Sequence, residues 1–129
     1  MNLKGKGIAA ERELIHLLWK QGFAAVRVAS SGSSRYPSCD ILASNGVKTF
    51  CFECKSIKGK SRYIEKGEID EFLSFSASFG GMPFIAARFS ATQWHFLSMD
   101  DIPQTTKAYC ISRDLIKQKG LLLEELLSF

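Results

Sequence analysis

The sequence predicts a single α/β domain in which helices pack on a β-sheet. Two segments, 5–20 and 65–79, repeat apolar residues with the 3.6-residue period of a helix, and strand-like segments alternate with them. The chain has 129 residues, of which 46% are hydrophobic and 12% aromatic, so it can bury a core without disulfide or metal staples. We therefore expect one domain over residues 1–129.

The first predicted helix, 5–20, carries an acid within its apolar stripe. That stripe consists of Ile8, Leu14, Ile15, Leu18 and Trp19. Glu11 falls near its middle, and a buried carboxylate without a partner is costly. Glu11 therefore either reaches water near the helix end or points over the sheet towards two later acids, Asp40 and Glu53. A glycine stop at Gly22 ends the helix, and 23–29 reads as a short strand that contains Arg27.

A hydroxyl-rich loop over residues 30–38 follows this strand. Its serines, backbone amides and Arg35 are groups of the kind that contact phosphates. An ordinary Gly/Ser linker explains the same composition.

The next segment, 40–55, reads as a β-hairpin. Its centre is Asn45-Gly46, a pair that favours a two-residue type I′ turn. That turn would place Ser44 opposite Val47 and Asp40 opposite Cys51.

The predicted hairpin gathers charged groups on one face of the sheet. Residues at even spacing along a strand share a face, so Asp40, Glu53 and Lys55 should emerge together. The two carboxylates would be diagonal neighbours about 7–8 Å apart, which suits two ligands of one cation. A surface Glu–Lys pair worth about 0–1 kcal/mol is the alternative. The opposite face of the second strand is apolar and should be core: Phe50, Phe52 and Cys54.

The segment after Lys55 is basic. Lys58, Lys60 and Arg62 lie directly beside the predicted acidic cluster, which favours contacts with phosphates, although a solvated charge run is the usual origin of such a stretch.

The second half supplies a helix and further strands. The helix 65–79 ends at Gly80-Gly81, and its broad apolar face serves either the core or a subunit interface: Ile69, Phe72, Leu73, Phe75 and Phe79. Segments 83–89, 94–99 and 108–111 read as strands, and 121–127 as a short helix.

Charge and cysteine content narrow the function. The net charge is +4, but residues 1–66 carry +7 and residues 67–129 carry −3, which suits a polyanionic partner such as nucleic acid. The four cysteines fit no metal motif and should be reduced core residues. No apolar run approaches the ~20 residues of a membrane span, and the N-terminus lacks a signal-peptide pattern. We expect a cytoplasmic, nucleoid-associated protein without membrane contact.

An Asp followed by Glu-x-Lys on the neighbouring strand is the pattern of the PD-(D/E)XK nucleases. In this chemistry Asp40 and Glu53 would hold Mg²⁺, or Mn²⁺ in its place, with Glu11 either as a further ligand or as a group that contacts the ligands. Lys55 would orient the attacking water or steady the developing negative charge.

The wider sequence resembles the archaeal Holliday junction resolvases. The matching segments, in order, are 7–13, 22–27, 30–33, 53–56 and 79–81, so the resemblance spans about residues 5 to 100. It implies a restriction-endonuclease-like fold with a central mixed β-sheet flanked by helices. It also implies a homodimer that binds four-way DNA junctions and nicks opposing strands with Mg²⁺.

The resemblance also assigns residues. The catalytic acids and lysine of the family match Glu11, Asp40, Glu53 and Lys55. A loop serine that is tied to catalysis in part of the family matches Ser31. Basic positions of the family match Arg12 and Arg27. Ser30 and Ser33 compete with Ser31 for that role, because the loop is longer here.

Two other functions stay open at this point. One is a restriction or repair nuclease of the same superfamily, although the chain is short for a separate sequence-reading domain. The other is a non-catalytic junction-binding module, which would not need all four site residues. A sliding clamp is a conceivable further partner, but the C-terminal segment carries no convincing motif for it.

Overall fold

Residues 3–28, 36–89 and 92–128 are described by the structure, a computed structural model, with side chains from residue 7 onward. The elements along these ranges are helix α1 (Leu3–Lys20), strands β1 (Ala24–Arg27), β2 (Ile41–Ser44), β3 (Thr49–Ile57) and β4 (Ser61–Glu65), helix α2 (Lys66–Phe79), strands β5 (Met82–Phe89), β6 (His95–Ser98) and β7 (Ala108–Ser112), and helices α3 (Arg113–Lys119) and α4 (Leu123–Leu127). The predicted α/β class is confirmed.

Five of the strands form one mixed sheet, in the order β1-β2-β3-β5-β6. β3 and β5 run parallel, and the other neighbours in this sheet run antiparallel. β4 and β7 form a separate two-stranded antiparallel sheet. The central mixed sheet that the sequence predicted is therefore present.

Both faces of the central sheet are covered. On one face, α1 and α4 pack against alternate residues of the strands, with a cluster that includes Leu14, Leu18, Phe50, Phe52 and Leu126. On the other face, α2, α3 and the two-stranded sheet form a second cluster that includes Cys51, Ile57, Ile69, Phe72 and Ile111. β3 is buried on both faces at residues 50–52, and its residues become partly exposed from Glu53 to Ser56.

The hairpin turn lies one residue later than predicted. Gly46 takes a φ of 90°, and the Asn45 side chain accepts hydrogen bonds from the N–H groups of Val47 and Lys48 at 2.9 and 2.8 Å. The ladder then pairs Ser44 with Thr49 and Leu42 with Cys51, so the predicted pairings of Ser44 with Val47 and of Asp40 with Cys51 are wrong. The register moves by two residues, and each side chain keeps its predicted face.

Strand β4 and helix α3 were not predicted. β4 pairs with β7, a strand some fifty residues away in sequence, and its own residues are mostly exposed. α3 begins at Ser112, whose hydroxyl accepts a hydrogen bond from the N–H of Leu115 at 3.0 Å.

The apolar helix faces divide between core and surface. Trp19, predicted in the core stripe of α1, is 56% exposed, and its indole N–H donates to the Ala25 carbonyl at 3.0 Å. On α2, Phe72 is buried, whereas Phe79 is 51% exposed and stacks on Phe75 at a centroid distance of 5.5 Å. Phe72 is therefore a core residue, whereas Phe79 lies at the surface.

The cysteines are free thiols, as expected. Cys39 and Cys51 are buried, while Cys54 and Cys110 are half-buried, so only the first two are core residues in the strict sense. Within the described ranges, no helix is long and apolar enough to cross a membrane.

Candidate active site

A break in the β2–β3 ladder positions Asp40. Ile41 pairs with Phe52, and the N–H of Asp40 donates to the carbonyl of the same Phe52 at 2.9 Å. Two residues opposite one is the arrangement of a β-bulge, which redirects a side chain at the end of a ladder. The Asp40 carboxylate accepts a hydrogen bond from the N–H of Cys54 at 2.8 Å. Asp40 is thus held against β3 between Glu53 and Lys55.

Glu53 and Lys55 meet a third charged residue from α2. The Lys55 ammonium donates to the carboxylate of Glu68 in an ion pair, and Glu68 is also close enough to Glu53 to affect the pKa of Glu53. The Lys55 side chain is only 12% exposed, whereas that of Glu68 is 41% exposed. Glu68 therefore covers the site from the first turn of α2 and holds Lys55 beside the carboxylates.

Burial and charge crowding shift the proton affinity of the carboxylates. Burial, and then the neighbouring charge of Asp40, raises the pKa of Glu53 to about 9, although Lys55 opposes the change. Burial also opposes ionisation of Glu68, but the hydrogen bond and charge of Lys55 outweigh it and lower the pKa of Glu68. Of the two carboxylates, Glu53 is therefore the one whose surroundings favour the protonated form, and Glu68 the one whose surroundings favour the ionised form.

Glu11 approaches the site from α1, as predicted, but it forms an ion pair there. Its carboxylate accepts a hydrogen bond from Arg27 Nε at 3.0 Å. Burial, followed by the charge of Asp40, raises the pKa of Glu11, while Arg27 lowers it. Glu11 therefore lies within the electrostatic field of Asp40, and Arg27, a predicted DNA contact, neutralises it.

A cleft of about 560 Å³ opens beside these groups. The N-terminal half of α1, the end of β3, and residues of β4 and β5 line it, and Glu11 and Lys55 both face it. Lys58 and Arg62, predicted to contact phosphates, are among the lining residues, and Arg62 is held by a hydrogen bond to the Ser56 carbonyl at 2.8 Å.

The other predicted DNA contacts lie elsewhere or are not described. Arg12 is exposed on α1, and Lys60 is exposed in the turn between β3 and β4, and neither is among the lining residues of the cleft. Ser31 and Arg35 fall outside the described residues.

Sequence reasoning missed two charged residues of this region, Glu68 and Arg88. Glu68 lies in the first turn of α2, where acidic residues are common, so its position in the sequence did not indicate Lys55 as its partner. Arg88 interrupts the otherwise apolar strand β5 and lines the cleft with only 9% of its surface exposed. A cation inside a buried strand could have been recognised as unusual, because charged residues are rarely buried unpaired.

The donor set of the site suits a hard cation. Burial, and then repulsion by Asp40, raises the pKa of Glu53, and a divalent ion bound by the two carboxylates would relieve that repulsion. Among the described side chains, no three His, Cys, Asp or Glu residues are grouped closely enough to hold a metal ion as they stand. Glu11 would have to exchange Arg27 for the ion to become a third ligand.

Comparison with known proteins decides the family. Residues 2–129 match the family model described as archaeal Holliday junction resolvase (Hjc). The chain belongs to the archaeal Holliday junction resolvase family. The resemblance predicted from the sequence is therefore confirmed, and it extends over nearly the whole chain.

Individual members of the resolvase family agree with this assignment. The crossover junction endodeoxyribonuclease Hjc of Archaeoglobus fulgidus is 34% identical over 113 residues, which cover 88% of this chain and 83% of that protein. Hjc of Sulfolobus acidocaldarius is 32% identical over 132 residues, which cover 100% of this chain and 91% of that protein. The solved structure of A. fulgidus Hjc, a Holliday junction resolvase, superposes with a TM-score of 0.87 at 32% identity and covers 93% of this chain and 98% of that one. The predicted fold is thereby confirmed.

Proposed function

We propose that this chain is a structure-selective endonuclease that binds four-way DNA junctions as a homodimer and resolves them by metal-dependent nicking of opposing strands. The observation that carries the proposal is the convergence of Asp40, Glu53 and Lys55 beside a basic cleft, in a chain of the resolvase family.

The residues of the site divide the chemistry between them. Asp40 and Glu53, with Glu11 as a further ligand, would hold Mg²⁺ or Mn²⁺, which supplies positive charge against a phosphate oxygen and acidifies bound water. Lys55 faces the negative charge that develops on the phosphate during hydrolysis. Glu68 keeps the Lys55 side chain in place through their ion pair. Lys58 and Arg62 hold the DNA backbone in the cleft.

The reaction requires two sites. A four-way junction is resolved when two strands are cut symmetrically, and one set of Asp40, Glu53 and Lys55 cuts one strand. A two-fold dimer gives each strand its own site. Phe79 and Met82, which are 51% and 41% exposed at the end of α2 and the start of β5, offer apolar surface for this pairing.

Cleavage and binding assays on Asp40→Asn test the proposal. We expect wild type to nick a four-way junction in Mg²⁺ and to leave the linear duplex of the same sequence intact. Asp40→Asn should bind the junction with near-normal affinity and nick it at least ~100-fold more slowly. Asp70→Asn, a change to an exposed acid on α2 that does not line the cleft, is the matched control.

Each other result has a distinct meaning. Equal nicking of junction and duplex would indicate another nuclease of this superfamily. Junction binding without nicking by wild type would indicate a binding module. Normal nicking by Asp40→Asn would remove this residue from the site.

A further inference from the structure

Arg113, the first residue of α3, is held at the protein surface by contacts with neutral groups. Its Nε donates to the Gly59 carbonyl, and its backbone N–H donates to the Lys60 carbonyl at 3.0 Å. Its guanidinium carbon lies 4.2 Å from the centroid of the Phe89 ring. Arg113 is exposed, and among the described side chains it forms no ion pair with a carboxylate. Its Nη groups therefore present an ordered positive charge to the solvent.

These contacts place Arg113 at the same edge of the central sheet as the cleft. Ile57 and Phe89, the last residues of β3 and β5, are paired in the parallel ladder, so both strands end at this edge. Lys58 lines the cleft directly after β3, whereas Lys60 and Arg113 are not among its lining residues. Lys60 and Arg113 therefore form a second basic surface beside the turn between β3 and β4, which we call the turn patch.

The turn patch joins charges from the two halves of the sequence. The basic excess lies in residues 1–66, whereas residues 67–129 have a net charge of −3. The pairing of β4 with β7 places Ser61 opposite Ser112, which brings Arg113 to the basic turn. An arginine that is already ordered and is not neutralised by a carboxylate suits a phosphate ligand, because little side-chain entropy is lost when the contact forms.

We propose that Lys60 and Arg113 bind the phosphate backbone of the DNA arm that leaves the cleft, so that the DNA interface continues past the cleft onto α3. The Nη groups of Arg113 donate to non-bridging phosphate oxygens, while Nε keeps its hydrogen bond to Gly59. This inference deepens the proposed junction-cutting function and rests on it, because the cleft then holds the strand that is cut.

Replacing Arg113 with Gln tests the contact. The affinity of Arg113→Gln for a four-way junction, measured in EDTA to prevent cutting, should fall about 10-fold at low salt. The slope of log affinity against log salt concentration should fall by about one for each Arg113 that contacts a phosphate. At saturating protein concentration in Mg²⁺ the nicking rate should equal that of wild type, because the turn patch lies outside the cleft.

Lys20 provides a control with the same change in net charge. It is exposed at the end of α1, which packs on the opposite face of the central sheet from α3. Lys20→Gln should leave the junction affinity and the salt slope unchanged. An equal loss in Lys20→Gln and Arg113→Gln would show that only the overall charge matters, and it would overturn the inference.

Two further tests separate a direct contact from a role in holding the turn. Arg113→Lys keeps the charge and removes the group that bonds to Gly59 and stacks on Phe89, so its affinity should be lower than that of wild type, but its salt slope should be unchanged. In a protein that carries Lys58→Gln and Lys60→Gln, Arg113→Gln should still weaken binding by a similar factor. No further loss in that protein would show that Arg113 acts only through the turn lysines.

A set of modified junctions locates the contact. Each junction carries one methylphosphonate, which lacks a charged oxygen, at one position of an arm beyond the cut. We expect one position to weaken binding by wild type and to have a smaller effect on Arg113→Gln, because both changes remove the same contact. Equal effects on both proteins at every position would overturn this inference even where the junction is cut normally. Failure of wild type to bind or cut the junction would instead overturn the proposed function and this inference with it.

Discussion

Replacing Glu53 with Gln should stabilise the metal-free protein at neutral pH while it removes a predicted catalytic group. The pKa of Glu53 is raised to about 9, from an ordinary value of 4.5, by burial and by Asp40. In the folded state Glu53 therefore keeps its proton at pH 7, whereas in the unfolded chain it is ionised. Gln is uncharged in both states, so its burial at this position does not require the uptake of a proton.

The sign and size of this effect follow from proton linkage. Between pH 4.5 and about 9 Glu53 holds a proton in the folded protein that it loses in the unfolded chain, so its contribution to stability falls as pH rises. The decrease is about 1.4 kcal/mol per pH unit, which gives up to about 3 kcal/mol at pH 7. Glu53→Gln removes this decrease, so the variant should equal wild type near pH 4.5 and exceed it increasingly towards pH 8.

Urea unfolding in EDTA at pH 5, 6, 7 and 8 measures the difference, at a fixed protein concentration. Glu71→Gln, a change to an exposed glutamate on α2, is the control and should follow wild type at every pH. Mg²⁺ should stabilise wild type and not Glu53→Gln, since a ligand stabilises the state that binds it. If Glu53→Gln is less stable than wild type at pH 7, or if the difference in stability does not grow with pH, the pKa of Glu53 is not raised in the folded protein.

Three further perturbations test the site, the DNA path and the assembly. Glu68→Gln should slow nicking about 10-fold and leave junction affinity unchanged, because Lys55 loses the partner that positions it. Glu71→Gln is the control and should leave the nicking rate unchanged. Reduced junction affinity of Glu68→Gln would argue against a positioning role. Neutralising Lys58, Lys60 and Arg62 together should weaken junction binding and reduce the slope of log affinity against log salt concentration. The slope should fall by about one for each phosphate that these side chains neutralise in wild type. An unchanged slope would place the DNA elsewhere. Phe79→Glu should convert a dimer into a monomer by light scattering, and a wild-type monomer at micromolar concentration would contradict the proposed pairing.

The elements with strong local signals were the ones that sequence predicted well. Helices 5–20 and 65–79 have long apolar periods, and Gly80, with a φ of 87°, ends α2 where a glycine stop was expected. β4 was missed because its sequence is basic and exposed, and its partner β7 is distant in the chain. α3 was missed although Ser112, an acid in the first turn and lysines in the last turn are ordinary helix signals.

The candidate site was predictable only where its residues share a strand or a hairpin. Glu53 and Lys55 were placed on one face by the strand period, without any knowledge of the rest of the fold. The contacts of Lys55 with Glu68 and of Arg88 with Glu13 join residues 13 and 75 positions apart, respectively. Such pairs depend on how α1 and α2 pack on opposite faces of the sheet, which no local pattern specifies.

The hairpin shows why an inaccurate turn still led to the right cluster. The centre of the turn lies one residue later than predicted. Each residue of the first strand therefore pairs with a residue two positions later in the second strand than predicted. Side chains alternate with a period of two, so an even shift exchanges cross-strand partners without exchanging faces. An odd shift would have sent Asp40 to the α1 face, away from Glu53 and Lys55. The bulge at Phe52 then adjusts Asp40 locally, where its carboxylate reaches the N–H of Cys54 between those two residues. The placement of the site therefore depends on the parity of the hairpin register and on this one irregularity, and only the first of these could be inferred from the sequence.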